Sequence, residues 1–586
     1  ISRYTMRLLT AQQFERAATL ACAMEHLRRQ HAASLGETSI DIGLWIGQDN
    51  TPNTFVGAKD AVDEIEPSWT PPNPFAIQRC PWCHTRLIPG NDEPIANIGF
   101  KATNSSFVVS CPNLTCDFAG SIPVQVVDEA LYLKPPTILL AVADKFAALP
   151  RETRIRNFLG GNGTEPPSLI IQDELHLLGS SLGTVFGVYE AAIDTVLGQL
   201  GGGVRPHIIA STATIRDASA QVRNLFGRDC RVFPSPGLSA DFNFFSALDR
   251  SVPGRIYAGV AAPSHTPSTS IIRTIALLSQ SIEEVNLNAS ENDAYFTQVV
   301  YHNSLRELGK VVTYATDDIP DWIGVVTSPD AAQRRLGDDN IEELTGNVKH
   351  WQLPRLLERM QRPSSDPECI ALLACTNMLS VGVDVQRLGM MTVNGQPKAT
   401  SEYIQATSRV GRQAKTRPGL VVTHYATSKP RDISHYETFL TYHQSLYRFV
   451  EPTSVTPWAL PARDRCLPAA IISVVRLVEN LRHNDQADEF DPRRPTTAAA
   501  VDAFTNRILA TLDVDSNDAA QHVHDILEQW TVMIDEYGHR LVFVDEGKKL
   551  QPLLTTFTKR TTNAWPALTS FRNVDKGCDV EVKGWY

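Results

Sequence analysis

The stretch Ser168-Leu-Ile-Ile-Gln-Asp173-Glu174-Leu175-His176 decides the reading of this chain. Its short apolar run reads as a buried strand, and two carboxylates follow at once. In open parallel sheets ligands sit beyond the carboxyl ends of strands. An Asp there can hold Mg²⁺, usually through water. A neighbouring Glu can orient and deprotonate the water that attacks a terminal phosphate. The plainer reading is an acidic cap on the next helix. For a bare Asp-Glu pair that reading is the stronger one. Here His176 completes a tetrad, and a second apolar run, Pro206-His-Ile-Ile-Ala, leads into Ser211-Thr212-Ala213-Thr214.

Working outward, similar short runs begin at Thr137, Gln298, Trp322, Cys369, Gly389 and Gly419, separated by amphipathic helical stretches. Continuous apolar strands alternating with helices mean parallel sheets covered on both faces, an α/β fold. The organisation expected is a first sheet lobe over 1–230 and a linker over 231–290, where Pro, Ser and Gly gather. A second lobe follows over 291–450, then a mostly helical region over 451–586 where strands stop. A helix is expected over 11–29, loop or linker over 47–78, and a compact insert over 79–125.

The chain has 586 residues, a prior of about four folding units. Lys and Arg number 54 against 65 Asp and Glu, a formal charge of −11, which argues against a general polyanion binder without excluding a locally basic groove. Cys369–Cys375 is among the longest apolar runs, far short of the ~18 residues a membrane span needs. The chain opens Ile-Ser-Arg-Tyr without a charged or apolar leader, so a soluble, cytoplasmic protein or part of one is expected.

Cys80-Pro-Trp-Cys83 and Cys111-Pro-Asn-Leu-Thr-Cys116 form two knuckles. Short cysteine pairs bring four thiolates around one tetrahedral Zn²⁺, as in a zinc ribbon, and four thiolates leave no open position, so the site is structural. A disulfide pair is the competing reading. The other six cysteines show no ligand spacing.

Two later blocks carry further chemistry. Thr376-Asn-Met-Leu-Ser-Val-Gly382-Val-Asp384 follows the Cys369 run, and Glu402-Tyr403-Ile-Gln405-Ala-Thr-Ser408-Arg409-Val-Gly411-Arg412 comes next. Gln405, Arg409 and Arg412, at spacings of four and three, are expected along one helical face. Arginines so placed can stabilise charge on a transferring phosphoryl group.

In this order the blocks resemble superfamily 2 helicases. Asp173-Glu174-Leu175-His176 and Ala210–Thr214 are similar to motifs II and III, the Thr376 and Glu402 blocks to motifs V and VI. Pro135–Ala148, Val299–Ser304 and Tyr4–Gln13 resemble motifs Ib, IV and Ia. Ser408 stands where that family normally has Gly. The resemblance implies two RecA-like lobes and binding of ATP with Mg²⁺ held by Asp173. It implies water activation by Glu174 and charge stabilisation by Arg409 and Arg412, with His176 and Gln405 in the same catalytic group. Gly382 and Asp384 would link nucleotide to strand. Thr10, Gln12, Ser211, Thr212, Asn303 and Thr376 would hold the nucleic acid, mostly by its phosphates. The phosphate loop G-x-x-x-x-G-K-[ST] is not found, and the expectation is that the sequence begins after it.

A closer resemblance is to the helicases of the DISARM anti-phage system. It rests on Arg3–Arg16, the four-cysteine insert, Gln172–Leu178, Glu402–Arg412 and Ala564–Asp575. It implies a DNA helicase or translocase of phage restriction, acting on single-stranded DNA or DNA with a single-stranded overhang, beside a DUF1998-containing, DrmB-like partner. Two alternatives stay open: a DUF1998-associated DNA-repair helicase, and an ATP-independent scaffold with a degenerate helicase fold.

Overall fold

The computed structural model describes all residues except 6, 48–50, 66–72, 90–97, 213–216, 236, 240–241, 250, 252–253, 349–351, 381–384, 414–416, 546–549, 557–562 and 573–586. For 7–12 and 380 only the backbone is described. The chain forms two units, Ile1–Val232 with Pro452–Tyr586, and Phe233–Glu451.

The first unit holds strands β1 (Ser2–Tyr4), β2 (Ile42–Trp45), β3 (Phe100–Ala102), β4 (Phe107–Val109), β5 (Val124–Gln125), β6 (Ile138–Val142), β7 (Leu169–Gln172) and β8 (His207–Ala210). Six of them make one parallel sheet in the order β5-β2-β6-β1-β7-β8, while β3 and β4 pair antiparallel in the cysteine insert. Arg3 lies opposite Ala141 on one side and Gln172 on the other, and Gln172 lies opposite Ala210. This register brings the carboxyl ends of four strands out along one edge. Crossover helices Arg7–Gln30 and Ser180–Leu200 cover the sheet.

The second unit holds β9 (Arg255–Ala261), β10 (Gln298–His302), β11 (Ile341–Leu344), β12 (Leu372–Cys375), β13 (Met390–Asn394) and β14 (Gly419–Tyr425), a parallel sheet in the order β11-β12-β10-β13-β14-β9. Strands β10, β12 and β13 are buried nearly throughout, as continuous apolar runs require. Two six-stranded parallel sheets with crossover helices are RecA-like lobes, and the α/β fold class stands.

Four expectations are corrected. The stretch 231–290 is more than a linker: it carries edge strand β9, paired to β14 along its length, and helix Pro267–Glu284. The Trp322 run is the end of helix Asp318–Val326, because Ile319 and Ile323 repeat at helical spacing and are fully buried while Val325 is exposed. Within 47–78, Thr54 accepts a hydrogen bond from the Gly57 amide and starts helix Phe55–Asp63.

The last correction concerns 451–586, where strands do not stop. β15 (Leu541–Val544), β16 (Gln551–Thr556) and β17 (Trp565–Ala567) form a small parallel sheet. This region also shares one core with the first sheet. Helix Leu460–Val478 is apolar nearly all round and therefore must be covered on every side. It packs with Ser180–Leu200 in a cluster running from Trp45 to Phe571. Among the described residues no helix is long and apolar enough to cross a membrane.

Candidate functional site

At the carboxyl end of β7 the chain turns sharply. The Asp173 amide donates to the Arg3 carbonyl at 3.0 Å, a last rung of the β1–β7 ladder. Glu174 then takes a left-handed conformation, φ +52°, uncommon for a residue with a side chain. Such strain collects at functional sites, where the surrounding structure holds it. The Leu175 amide reaches back to the Ser211 carbonyl at 2.9 Å, locking the turn to the end of β8.

Side chains join the same two strand ends. Asp173 Oδ1 accepts from Ser211 Oγ and, at 3.0 Å, from the Glu174 amide. His176 Nδ1 lies 3.2 Å from Thr212 Oγ1 and 3.5 Å from Glu174 Oε2. Burial first, and then the Asp173 charge, push the Tyr4 phenol up on the neighbouring strand. Thus Asp173, Glu174, His176, Ser211 and Thr212, expected from two separate motifs, form one cluster. Oδ1 accepts both hydrogen bonds, and Oδ2 is the Asp173 oxygen that could hold an ion keeping much of its own water.

The order of the sheet leaves β8 at its margin, with Ile209 half exposed and its neighbour Ile171 on β7 at 37%. Apolar side chains on a strand of a parallel sheet are normally covered on both faces. Thr10 and Gln12 lie in the helix that follows β1, and their side chains fall outside the described residues.

In the second unit the expected helical face for Gln405, Arg409 and Arg412 is not found. Helix Thr400–Thr407 ends before the arginines. Gly411 is left-handed, φ +69°, and a Cβ there would meet the Gly419 backbone at 2.5 Å, so the chain turns tightly against β14 instead of continuing the helix. Gln405 is buried, Arg409 half-buried and Arg412 exposed. Arg255 of β9 fixes the turn, donating to the carbonyls of Val410 at 2.9 Å and Ser408 at 3.0 Å.

Sequence reading missed the residues that hold this helix. Glu451 accepts from the Thr400 amide at its amino end, favourable with the helix dipole. Tyr301 donates to Glu402 at 2.7 Å, and the Tyr403 hydroxyl lies 3.1 Å from His443 Nε2. No spacing announces these contacts, since every pair is far apart in sequence. Asn303 donates to the carbonyls of Asn394 and Gly395 at 3.2 and 3.0 Å, so its amide braces the loop after β13. Thr376, half-buried, hangs from the Leu344 carbonyl at the end of β11. Gly382 and Asp384 lie outside the described residues.

The four sulfurs of Cys80, Cys83, Cys111 and Cys116 lie within 4.8 Å of one another. Cys80 and Cys116 are 3.9 Å apart, Cys83 and Cys111 3.4 Å. Zn–S bonds of about 2.3 Å at tetrahedral angles require sulfurs ~3.8 Å apart, whereas a disulfide needs about 2.05 Å. The donor set therefore fits a tetrahedral metal ion. Trp82 stacks on His26 at 4.9 Å and Arg29 sits over the Phe118 ring, so the knuckles pack on the helix after β1.

Residues 328–414 match the family described as helicase conserved C-terminal domain. The match falls on the second of the two RecA-like sheets. The chain is 35% identical to the DISARM protein DrmA of Bacillus paralicheniformis (strain ATCC 9945a / NCIMB 11709 / CD-2), the alignment covering 100% of this chain and 56% of that protein. By that match the chain is similar to DrmA, and it spans about half the length of that protein. Among solved structures it is similar to the DUF1998 helicase MrfA bound to DNA (15% identity, TM-score 0.45, covering 82% of this chain and 54% of that one). It is also similar to the Mycobacterium smegmatis helicase Lhr bound to ssDNA and AMP-PNP (14% identity, TM-score 0.49, covering 90% and 49%).

Proposed function

We propose that the whole protein is an ATP-dependent DNA helicase or translocase of superfamily 2 that acts in anti-phage defence. The observation that carries the reading is the cluster in which Ser211, at the end of β8, donates to Asp173, beside Glu174 at the end of β7. It brings two sequence motifs to the edge of a parallel sheet where ligands bind. The similarity to DrmA supports the defence role.

Bound ATP with Mg²⁺ supplies the phosphoryl group and the free energy of its transfer. Asp173 would hold the ion through Oδ2, and Glu174 would orient the attacking water and take its proton. Arg409 and Arg412 would stabilise charge on the phosphoryl group, with Gln405 positioning the turn that carries them. Thr10, Gln12, Ser211, Thr212, Asn303 and Thr376 would lie along the DNA strand, and Gly382 and Asp384 would join that track to the nucleotide. Zn²⁺ would fill the four-cysteine site. A DUF1998-containing, DrmB-like protein would be the partner, in the cytoplasm.

The phosphate-cradling loop is the remaining requirement. The marginal position of β8 and the exposure of Ile209 support a further segment packing beside that strand, where such a loop would stand next to Asp173. The test is DNA-stimulated ATP hydrolysis by the full-length protein against its Glu174→Gln variant. Retained ATP and DNA binding with turnover reduced by orders of magnitude is expected. Turnover at the parental rate would reject the role given to Glu174.

A further inference from the structure

Residues 567–572 cross back over the first sheet as a strap. Arg151 donates to the carbonyls of Ala567 and Leu568, both at 2.7 Å. Asp144, just past β6, accepts from Ser570 Oγ at 2.9 Å and from the Phe571 amide at 2.6 Å. Phe571 is fully buried against Tyr189 and Phe186 of the helix that packs on the sheet. The strap therefore belongs to the fold of the first unit, although more than 400 residues separate it from Asp144 in sequence.

Arg572 is the informative residue. Arg572 donates to the carbonyl of Thr5, the residue that leaves β1, and is itself exposed. Thr5 Oγ1 is buried and has no hydrogen-bond partner among the described residues. Strap, Thr5 and Asp144 all lie at the carboxyl ends of β1 and β6, the same edge of the sheet that carries Asp173 and Ser211. Among the described residues the Arg572 guanidinium has this one hydrogen-bond partner, and its planar fork suits a phosphodiester.

We propose that the strap 567–572 forms one wall of the strand-binding surface of the first unit, and that Arg572 contacts a backbone phosphate of bound single-stranded DNA. This rests on the DNA-binding part of the function proposed above. The wall is built by the C-terminal region, so the track is composite. Ser570 and Asp144 set the height of Arg572 over β1, and Phe571 anchors it in the core.

The experiment measures binding of a short fluorescein-labelled oligothymidylate to this chain across a salt series, with melting temperatures recorded in parallel. Each phosphate contact adds roughly 0.7 to the magnitude of the slope of log K against log salt for a single strand. Arg572→Ala is expected to bind several-fold more weakly with the slope reduced by about that amount, and Arg572→Lys to keep the slope. Weaker binding with an unchanged slope would make Arg572 a clamp on Thr5 alone and overturn the proposal, as would Arg572→Ala binding like the parent. If the parent chain itself failed to bind the oligonucleotide, the DNA-binding reading would fall, and this inference with it.

Discussion

His176 Nδ1 stands 3.2 Å from Thr212 Oγ1, joining the turn after β7 to the end of β8. The two residues come from motifs that sequence reading could only set in order, and they meet through a single hydrogen bond beside a second one, Ser211 to Asp173. A shift of either strand end is thereby felt by Asp173 and Glu174.

The first prediction follows from that pair. His176→Ala and Thr212→Val should each destabilise the chain modestly, and the double variant should cost less than the sum, by ~0.5–1.5 kcal/mol, the usual net worth of one hydrogen bond. Urea unfolding of the four proteins gives the answer. Additive costs would show that the contact contributes nothing.

Metal content gives the second. Purified chain should carry about one zinc, and Cys83→Ser should lose it, because three thiolates no longer close the tetrahedral site. Chelation should lower the melting temperature of the parent and leave that of Cys83→Ser unchanged. Well-folded protein without metal by elemental analysis would refute the assignment.

A third concerns the buried charges beneath the site. Arg3 of β1 pairs with Glu190, both essentially without solvent contact. Near them Asp194 is held by Arg205, Arg228 and, from the C-terminal region, Arg507. Removing Arg3 strands a buried carboxylate, which burial already drives toward its protonated form. Arg3→Met should cost about 3–5 kcal/mol, and Arg3→Met with Glu190→Leu should recover much of the loss. Guanidinium unfolding curves of the two variants test this.

The fourth is a pH dependence of the second unit. Burial pushes His302 down to about 3 and, helped by the Lys429 charge, His424 down to about 4. The Asn394 amide donates to His302 Nδ1, so that nitrogen cannot carry a proton in the fold. Both rings bind protons more readily in the unfolded chain, whose histidines titrate near 6.5. Stability is therefore full above about pH 6.5 and falls as the pH drops toward 4, by a loss of the order of a few kcal/mol. Acid titrations should show His302→Leu with a flatter decline than the parent. An equally steep decline would remove His302 from the account.

Much of the architecture was legible because buried parallel strands leave continuous apolar runs. The runs at Thr137, Ser168, Pro206, Gln298, Cys369, Gly389 and Gly419 all became strands. The Trp322 run did not, since a short apolar run cannot separate strand from helix until the burial of Ile319 and Ile323 shows the period. Strand β9 was hidden by its own position. An edge strand is only partly covered, so Arg255-Ile-Tyr-Ala-Gly-Val-Ala mixes polar and small residues among Pro- and Ser-rich neighbours. Cys80, Cys83, Cys111 and Cys116 were readable as a set, because close spacing of soft ligands is a local signal.

The sequence by itself determined the α/β class, the acidic turn at Asp173 and Glu174, the cysteine tetrad, and the order of the remaining motifs. Each of these is written in neighbouring residues or in a period along the chain. Only the tertiary structure decided that Ser211 serves Asp173, that Gly411 turns Arg409 and Arg412 off their helix, and that residues 452–572 complete the first unit. The physical reason is that hydrogen bonds and close packing act between groups in space. The Asp144–Phe571 and Asp194–Arg507 contacts join residues hundreds of positions apart, and no local pattern records which distant element will cover an apolar helix.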